Sequence, residues 1–140
     1  NKTILLNLNG HSHSGRYNLY FNRTSNSFTN FGIINPSIYT DNHYPSFRIY
    51  KYNNGIIDYD NYYCNISKII ENDIFECEKG YSFLDYFNLS NLDLKNLIIL
   101  YNKIKNDKSY LYKYVKYYSI PNLNFNYNYT DEILINNNIN

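Results

Sequence analysis

The sequence predicts an α+β chain whose first half is strands and whose second half is helices. Three observations predict it. Residues 3 to 63 carry short apolar and aromatic runs separated by turn residues. Asn53-Asn54-Gly55 separates two such runs as a hairpin turn would. From Ser67 onward apolar residues recur at helical spacing. The chain therefore divides into residues 1–66, a sheet segment; residues 67–121, a helical region; and residues 122–140, a tail rich in Asn and Tyr. The change near Ser67 is one of secondary structure, without the composition of a linker.

The elements follow in order. Ile4-Leu5-Leu6-Asn7-Leu8 reads as a first strand, then Tyr17 to Phe21 and Phe28 to Ile34, with a turn cluster at Arg23 to Asn26 between them. Pro36 ends the third strand and begins an irregular loop, Ser37 to Tyr44. After Pro45 the alternation over Phe47 to Tyr52 places Phe47, Ile49 and Lys51 on one face of a hairpin whose return strand is Ile56 to Ile66. Helical turns are expected at Ile69 to Phe75 and Tyr81 to Phe87. Leu94, Leu97, Ile98, Tyr101 and Ile104 form the stripe of a longer helix, for which Ser90-Asn91-Leu92-Asp93 fits a capping box. Tyr110, Leu111, Tyr114, Val115 and Tyr118 form a second stripe, stopped by Pro121. Tyrosine stripes of this kind are core with their hydroxyls at the rim. Asn122 to Tyr129 alternates Asn with apolar residues and reads either as an added strand or as mere repetition.

Composition excludes several classes. Thirteen Lys and Arg against twelve Asp and Glu leave a net charge of +1, so nothing electrostatic points to nucleic acid or an anionic membrane. No apolar run is long enough to span a bilayer. The chain has no Met and opens on Asn1 without a signal peptide, so it reads as the end of a longer protein. Cys64 and Cys77 allow one disulfide, which over about 13 residues contributes roughly 3 kcal/mol in an oxidising compartment; the alternative is two buried thiols. Sequons at Asn1, Asn22, Asn65, Asn88 and Asn128 tilt toward a secreted or lumenal chain, although so much Asn produces several by chance.

Chemistry concentrates at Gly10-His11-Ser12-His13, two of the three histidines one residue apart at the expected carboxyl end of the first strand. Imidazole is a common ligand for zinc and other divalent transition metals, and strand ends hold ligands firmly. Two histidines do not complete a catalytic zinc site, which usually has three protein ligands and a water. The bland reading is two exposed histidines on one side of a strand.

Gly10-His11-Ser12-His13, Asn35-Pro36-Ser37, Tyr44-Pro45-Ser46-Phe47-Arg48-Ile49-Tyr50 and Tyr62-Tyr63-Cys64-Asn65-Ile66-Ser67, in this order and spacing, resemble the acid sphingomyelinase-like phosphodiesterases, a branch of the calcineurin-like metallophosphoesterases. Tyr81 to Tyr86 with Asn88 to Leu92 resembles the start of that family's carboxyl-terminal helical region. The resemblance spans about residues 3 to 120. It implies that the strands end a four-layer α/β/β/α metallophosphoesterase sandwich and that two metal ions, generally zinc, lie at its strand ends. His11 would bind the second metal and His13 the first. Tyr39 and His43 would border the substrate cleft, their bland alternatives being a packed Tyr and a solvated His. Arg48, on a hairpin strand, reads as an ion-pair or stacking partner rather than a phosphate ligand.

The resemblance also implies what lies ahead of Asn1: the remaining metal motifs and the Gly-Asn-His that carries the proton donor. His43 has no Gly-Asn before it, so no catalytic proton donor is assigned within this chain. The cysteine-rich end of several family members is replaced by the Asn/Tyr tail. The expectation is therefore the carboxyl-terminal part of a secreted or lysosomal metal-dependent phosphodiesterase, acting on a sphingomyelin-, nucleotide- or polyphosphate-type substrate. By itself the chain is expected to be inactive. The alternative is a truncated, non-catalytic remnant or binding module.

Overall fold

The computed structural model describes residues 6–10, 15–38, 44–73 and 75–119. Within them are six strands and four helices: β1 (Asn7–Asn9), β2 (Arg16–Asn22), β3 (Ser27–Ile34), β4 (Ser46–Tyr52), β5 (Ile56–Cys64), α1 (Ile66–Asn72), β6 (Cys77–Ser82), α2 (Phe83–Phe87), α3 (Leu94–Asn106) and α4 (Lys108–Ser119).

Two three-stranded sheets form. In the first the order is β1-β3-β2, with β1 parallel and β2 antiparallel to β3. The chain thus leaves the sheet after Asn9 on one side of β3 and re-enters at Arg16 on the other. The β2–β3 turn is shaped by Asn22, whose Oδ1 accepts from the N–H groups of Thr24 (2.8 Å) and Ser25 (3.2 Å), and by Asn26 in the left-handed region. In the second sheet the order is β4-β5-β6, antiparallel throughout. Asn54 at φ 52° closes the β4–β5 hairpin, where an Asn tolerates that conformation better than a branched residue.

The strand β6 follows α1 yet pairs with β5, so the sheet extends past Ser67 into the region expected to be helical. Its residues Cys-Glu-Lys-Gly-Tyr-Ser have little strand propensity of their own. What places them is Cys77, which lies opposite Cys64 in the register and is bonded to it by a disulfide. Helix α1 spans Ile66–Asn72, starting three residues before the expected Ile69. Asn65 Oδ1 accepts from Lys68 N–H there at 3.3 Å. The cap of α3 also differs from expectation: Asp93 itself is the N-cap, its carboxylate accepting from Asn96 N–H at 2.8 Å, rather than the third helical residue of a box opened by Ser90. The tail from Asn122 to Tyr129 lies outside the described residues.

One core joins both sheets to the helices. Tyr17, Phe31 and Ile33 come from the first sheet, Tyr59 from the second, Phe83 and Phe87 from α2, Leu92, Leu97 and Leu100 from α3 and the residues before it, and Tyr114 and Tyr117 from α4. Aromatic rings meet across it edge-on, as Tyr17 does with Tyr114 at 5.7 Å and Phe87 with Tyr117 at 5.2 Å, or stacked, as Tyr59 does with Phe83 at 4.9 Å. Leu100 and Tyr117, both fully buried, lie off the expected stripes because each helix touches the core on a wider face than one row of residues. The hairpin reverses a simple hydrophobic alternation: Phe47 and Ile49 are exposed, whereas Arg48 and Tyr50 turn toward the core.

Candidate functional site

Parallel pairing puts the carboxyl ends of β1 and β3 side by side. Asn9 registers with Ile34, and Asn35 N–H donates to the Asn9 carbonyl at 2.7 Å. On the other side of β3, Arg16 registers with the same Ile34. Gly10, Arg16 and Asn35 therefore gather at one end of one sheet. Gly10 and the buried Gly15 are the described residues that flank Gly10-His11-Ser12-His13 and its continuation. Asn35-Pro36-Ser37, the second motif of the resemblance, starts from the same corner.

That corner is held from behind by the second sheet. Ser46, buried at the start of β4, clamps both described flanks of the segment 39–43: its N–H donates to Ser37 O at 3.0 Å and its Oγ donates to Tyr44 O at 2.8 Å. Cys64 N–H donates to Pro45 O at 2.9 Å, so the disulfide strand supports the same turn. Tyr50 Oη donates to Asn35 Oδ1. The role of Ser46 is not readable from local pattern, since a Ser after Pro suits any strand start.

Arg48 is the centre of this support. Its Nη1 donates to Ile34 O at 2.7 Å, its Nε to Asn61 Oδ1 at 3.3 Å and its Nη2 to Tyr117 Oη at 2.9 Å. The guanidinium stacks over Tyr59 at 4.5 Å and over Tyr117 at 5.6 Å. Tyr59 and Tyr117 hydroxyls are themselves 2.6 Å apart. Burial works against the charge, but Tyr117 and Tyr59 outweigh it and hold the guanidinium protonated above its ordinary range. Burial likewise pushes the Tyr59, Tyr81 and Tyr117 hydroxyls up. Tyr81 Oη is buried beside this group without a partner in hydrogen-bond geometry. Arg48 is thus a stacking partner, and no ion pair among the described residues involves it. Ring faces and a carbonyl take the place of a counter-ion. Nothing in the order Phe47-Arg48-Ile49 points to Tyr117, which is 69 residues away.

A second charged group lies along β5. Lys51 Nζ is 2.9 Å from both Asp58 and Asp60, and Lys79 Nζ is 3.0 Å from Asp60. Asp60 also accepts from Ser82 Oγ, and Asp58 accepts from Leu84 N–H at 3.2 Å at the start of α2. Burial would raise the Asp60 carboxyl, but Ser82, Lys51 and Lys79 hold it down at about 2. Every carboxylate here is occupied, so the group is a cross-link between strands and α2 rather than a vacant ligand set.

Among the described residues, no group of three or more His, Cys, Asp or Glu is arranged to hold a metal. His11, His13, Tyr39 and His43 lie outside the described residues. The sequon residues fall in distinct settings. Asn22 is exposed at its turn, Asn88 is exposed and left-handed at the end of α2, and Asn65 is half-buried at the start of α1.

The chain is similar to a sphingomyelin phosphodiesterase. Over 116 residues it is 26% identical to sphingomyelin phosphodiesterase A of Dictyostelium discoideum, a match covering 79% of this chain. The chain spans about a fifth of that relative's length. No protein-family model matches it. No described helix is long and apolar enough to cross a membrane.

Proposed function

We propose that this chain is the carboxyl-terminal part of a metal-dependent phosphodiesterase, formed of the last strands of a four-layer sandwich and the helical region after them. The observation that carries the reading is the corner at the end of β3, where the flanks of the histidine pair and the Asn35-Pro36-Ser37 motif meet. The similarity to a sphingomyelin phosphodiesterase supports it independently. The substrate is a phosphodiester or phosphoanhydride of sphingomyelin, nucleotide or polyphosphate type.

The donor chemistry fits two divalent ions in part: His11 and His13 would each give one imidazole, and the remaining ligands would come from the other part of the enzyme. Such a pair of ions supplies an activated water and neutralises charge on the phosphoryl oxygens. The chain's own described residues do the positioning. Arg48, Tyr50 and Ser46 fix the ends of the loop on which Tyr39 and His43 would approach the substrate. A secreted or lysosomal setting agrees with the Cys64–Cys77 disulfide, and glycans would be carried at Asn22, Asn65 and Asn88.

Zinc titration of the chain and of His11→Ala and His13→Ala tests the reading. Each substitution is expected to weaken zinc binding at least tenfold; unchanged affinity in both overturns the metal assignment. With one ligand to each metal, the isolated chain is expected to show no phosphodiesterase turnover in zinc. Turnover above background would overturn that division of labour.

A further inference from the structure

We propose that Arg16 binds a phosphoryl oxygen of the ligand at the corner where β1, β2 and β3 meet. The inference deepens the phosphodiesterase reading and rests on it for the nature of the ligand, a phosphate group. It begins from two arginines that meet Ile34, Arg16 by backbone register across the β2–β3 ladder and Arg48 by its guanidinium at the Ile34 carbonyl. Among the described residues neither is paired with a carboxylate.

The two differ in what their donors do. Nε, Nη1 and Nη2 of Arg48 each hold a protein acceptor, and its guanidinium lies over the Tyr59 ring, so it is structural. Arg16 Nε is buried and has no hydrogen-bond partner. A buried donor without an acceptor is costly, a cost a folded chain carries where an acceptor arrives with a ligand.

Position supports the same conclusion. Tyr17 points into the core against Tyr114, and strand alternation sends Arg16 to the opposite face, away from the helices. Arg16 as a residue is half-buried, with its Nε out of contact with solvent. It is separated from His13 by only Ser14 and Gly15. A guanidinium fork matches two phosphoryl oxygens in a way an ammonium does not.

Inorganic phosphate and phosphocholine, each titrated calorimetrically into the 140-residue chain with and without zinc, test the proposal. Arg16→Gln is expected to weaken phosphate binding at least tenfold with zinc uptake unchanged, and Arg16→Lys, which keeps the charge and stem, to recover part of the loss. Thermal melting of both variants shows whether they fold; if Arg16→Gln does not, the reduced affinity expected of folded Arg16→Lys carries the test. Phosphate binding by the folded variants equal to wild type, or no phosphate binding by wild type at millimolar concentration, overturns the assignment. Tighter binding of phosphocholine than of phosphate would identify a lipid headgroup as the source of the group; equal binding would identify the phosphate alone. Failure of zinc uptake would overturn the metal reading while the zinc-free phosphate titrations still decide Arg16.

Discussion

The Arg48 guanidinium stacks 4.5 Å from the Tyr59 ring centre and donates to the Tyr117 hydroxyl at 2.9 Å, so a residue of β4, a residue of β5 and a buried tyrosine of α4 share one positive charge. Because the same side chain also binds Ile34 O, it ties the two sheets and α4 at one point.

Arg48→Lys is expected to destabilise the chain by about 2 kcal/mol, and Arg48→Ala by more, since each leaves buried acceptors on Ile34 and Asn61 without a donor. The urea midpoint at neutral pH measures it. A midpoint within error of wild type for Arg48→Lys would show that the fork geometry is dispensable.

Asp60 makes stability depend on acid. Its folded value, about 2, lies below the ordinary 3.8, so its contribution is present above the ordinary value and is lost as pH falls from about 4 toward 2. Wild-type stability should drop through that window, and Asp60→Asn should be less stable at pH 7 but flatter below pH 4. Parallel curves for the two proteins would contradict the assignment.

Cys64→Ser is expected to lower stability by roughly 3 kcal/mol, and reduction of the wild-type disulfide to do the same, because the loop it closes is about 13 residues long. Since β6 has weak strand propensity, hydrogen exchange at Lys79 and Tyr81 amides should accelerate more than exchange in β2. Uniform acceleration would indicate that β6 is held by other contacts.

The cap of α3 gives a paired test. Asp93→Ala should cost about 1 kcal/mol through loss of the bond to Asn96 N–H, whereas Ser90→Ala should change thermal stability by no more than a few tenths of that. The reverse order would restore the capping box read from the sequence.

The sequence by itself determined the elements whose signals are local. Alternation and the Asn-Asn-Gly turn determined the β4–β5 hairpin, and helical spacing determined α3 and α4. It also singled out Gly10-His11-Ser12-His13 as a candidate metal motif, whose histidines lie outside the described residues. Tertiary structure decided what has no local signal: that β6 joins the sheet through Cys77, that Phe47 and Ile49 face outward while Arg48 turns inward to Ile34 O, and that Arg16 stands beside the end of β3 with an unpartnered Nε. The reason is sequence distance. Arg48 and Tyr117, or Arg16 and Ile34, become neighbours only when strand register and core packing close loops of many residues, and neither term is written in the residues adjacent to them.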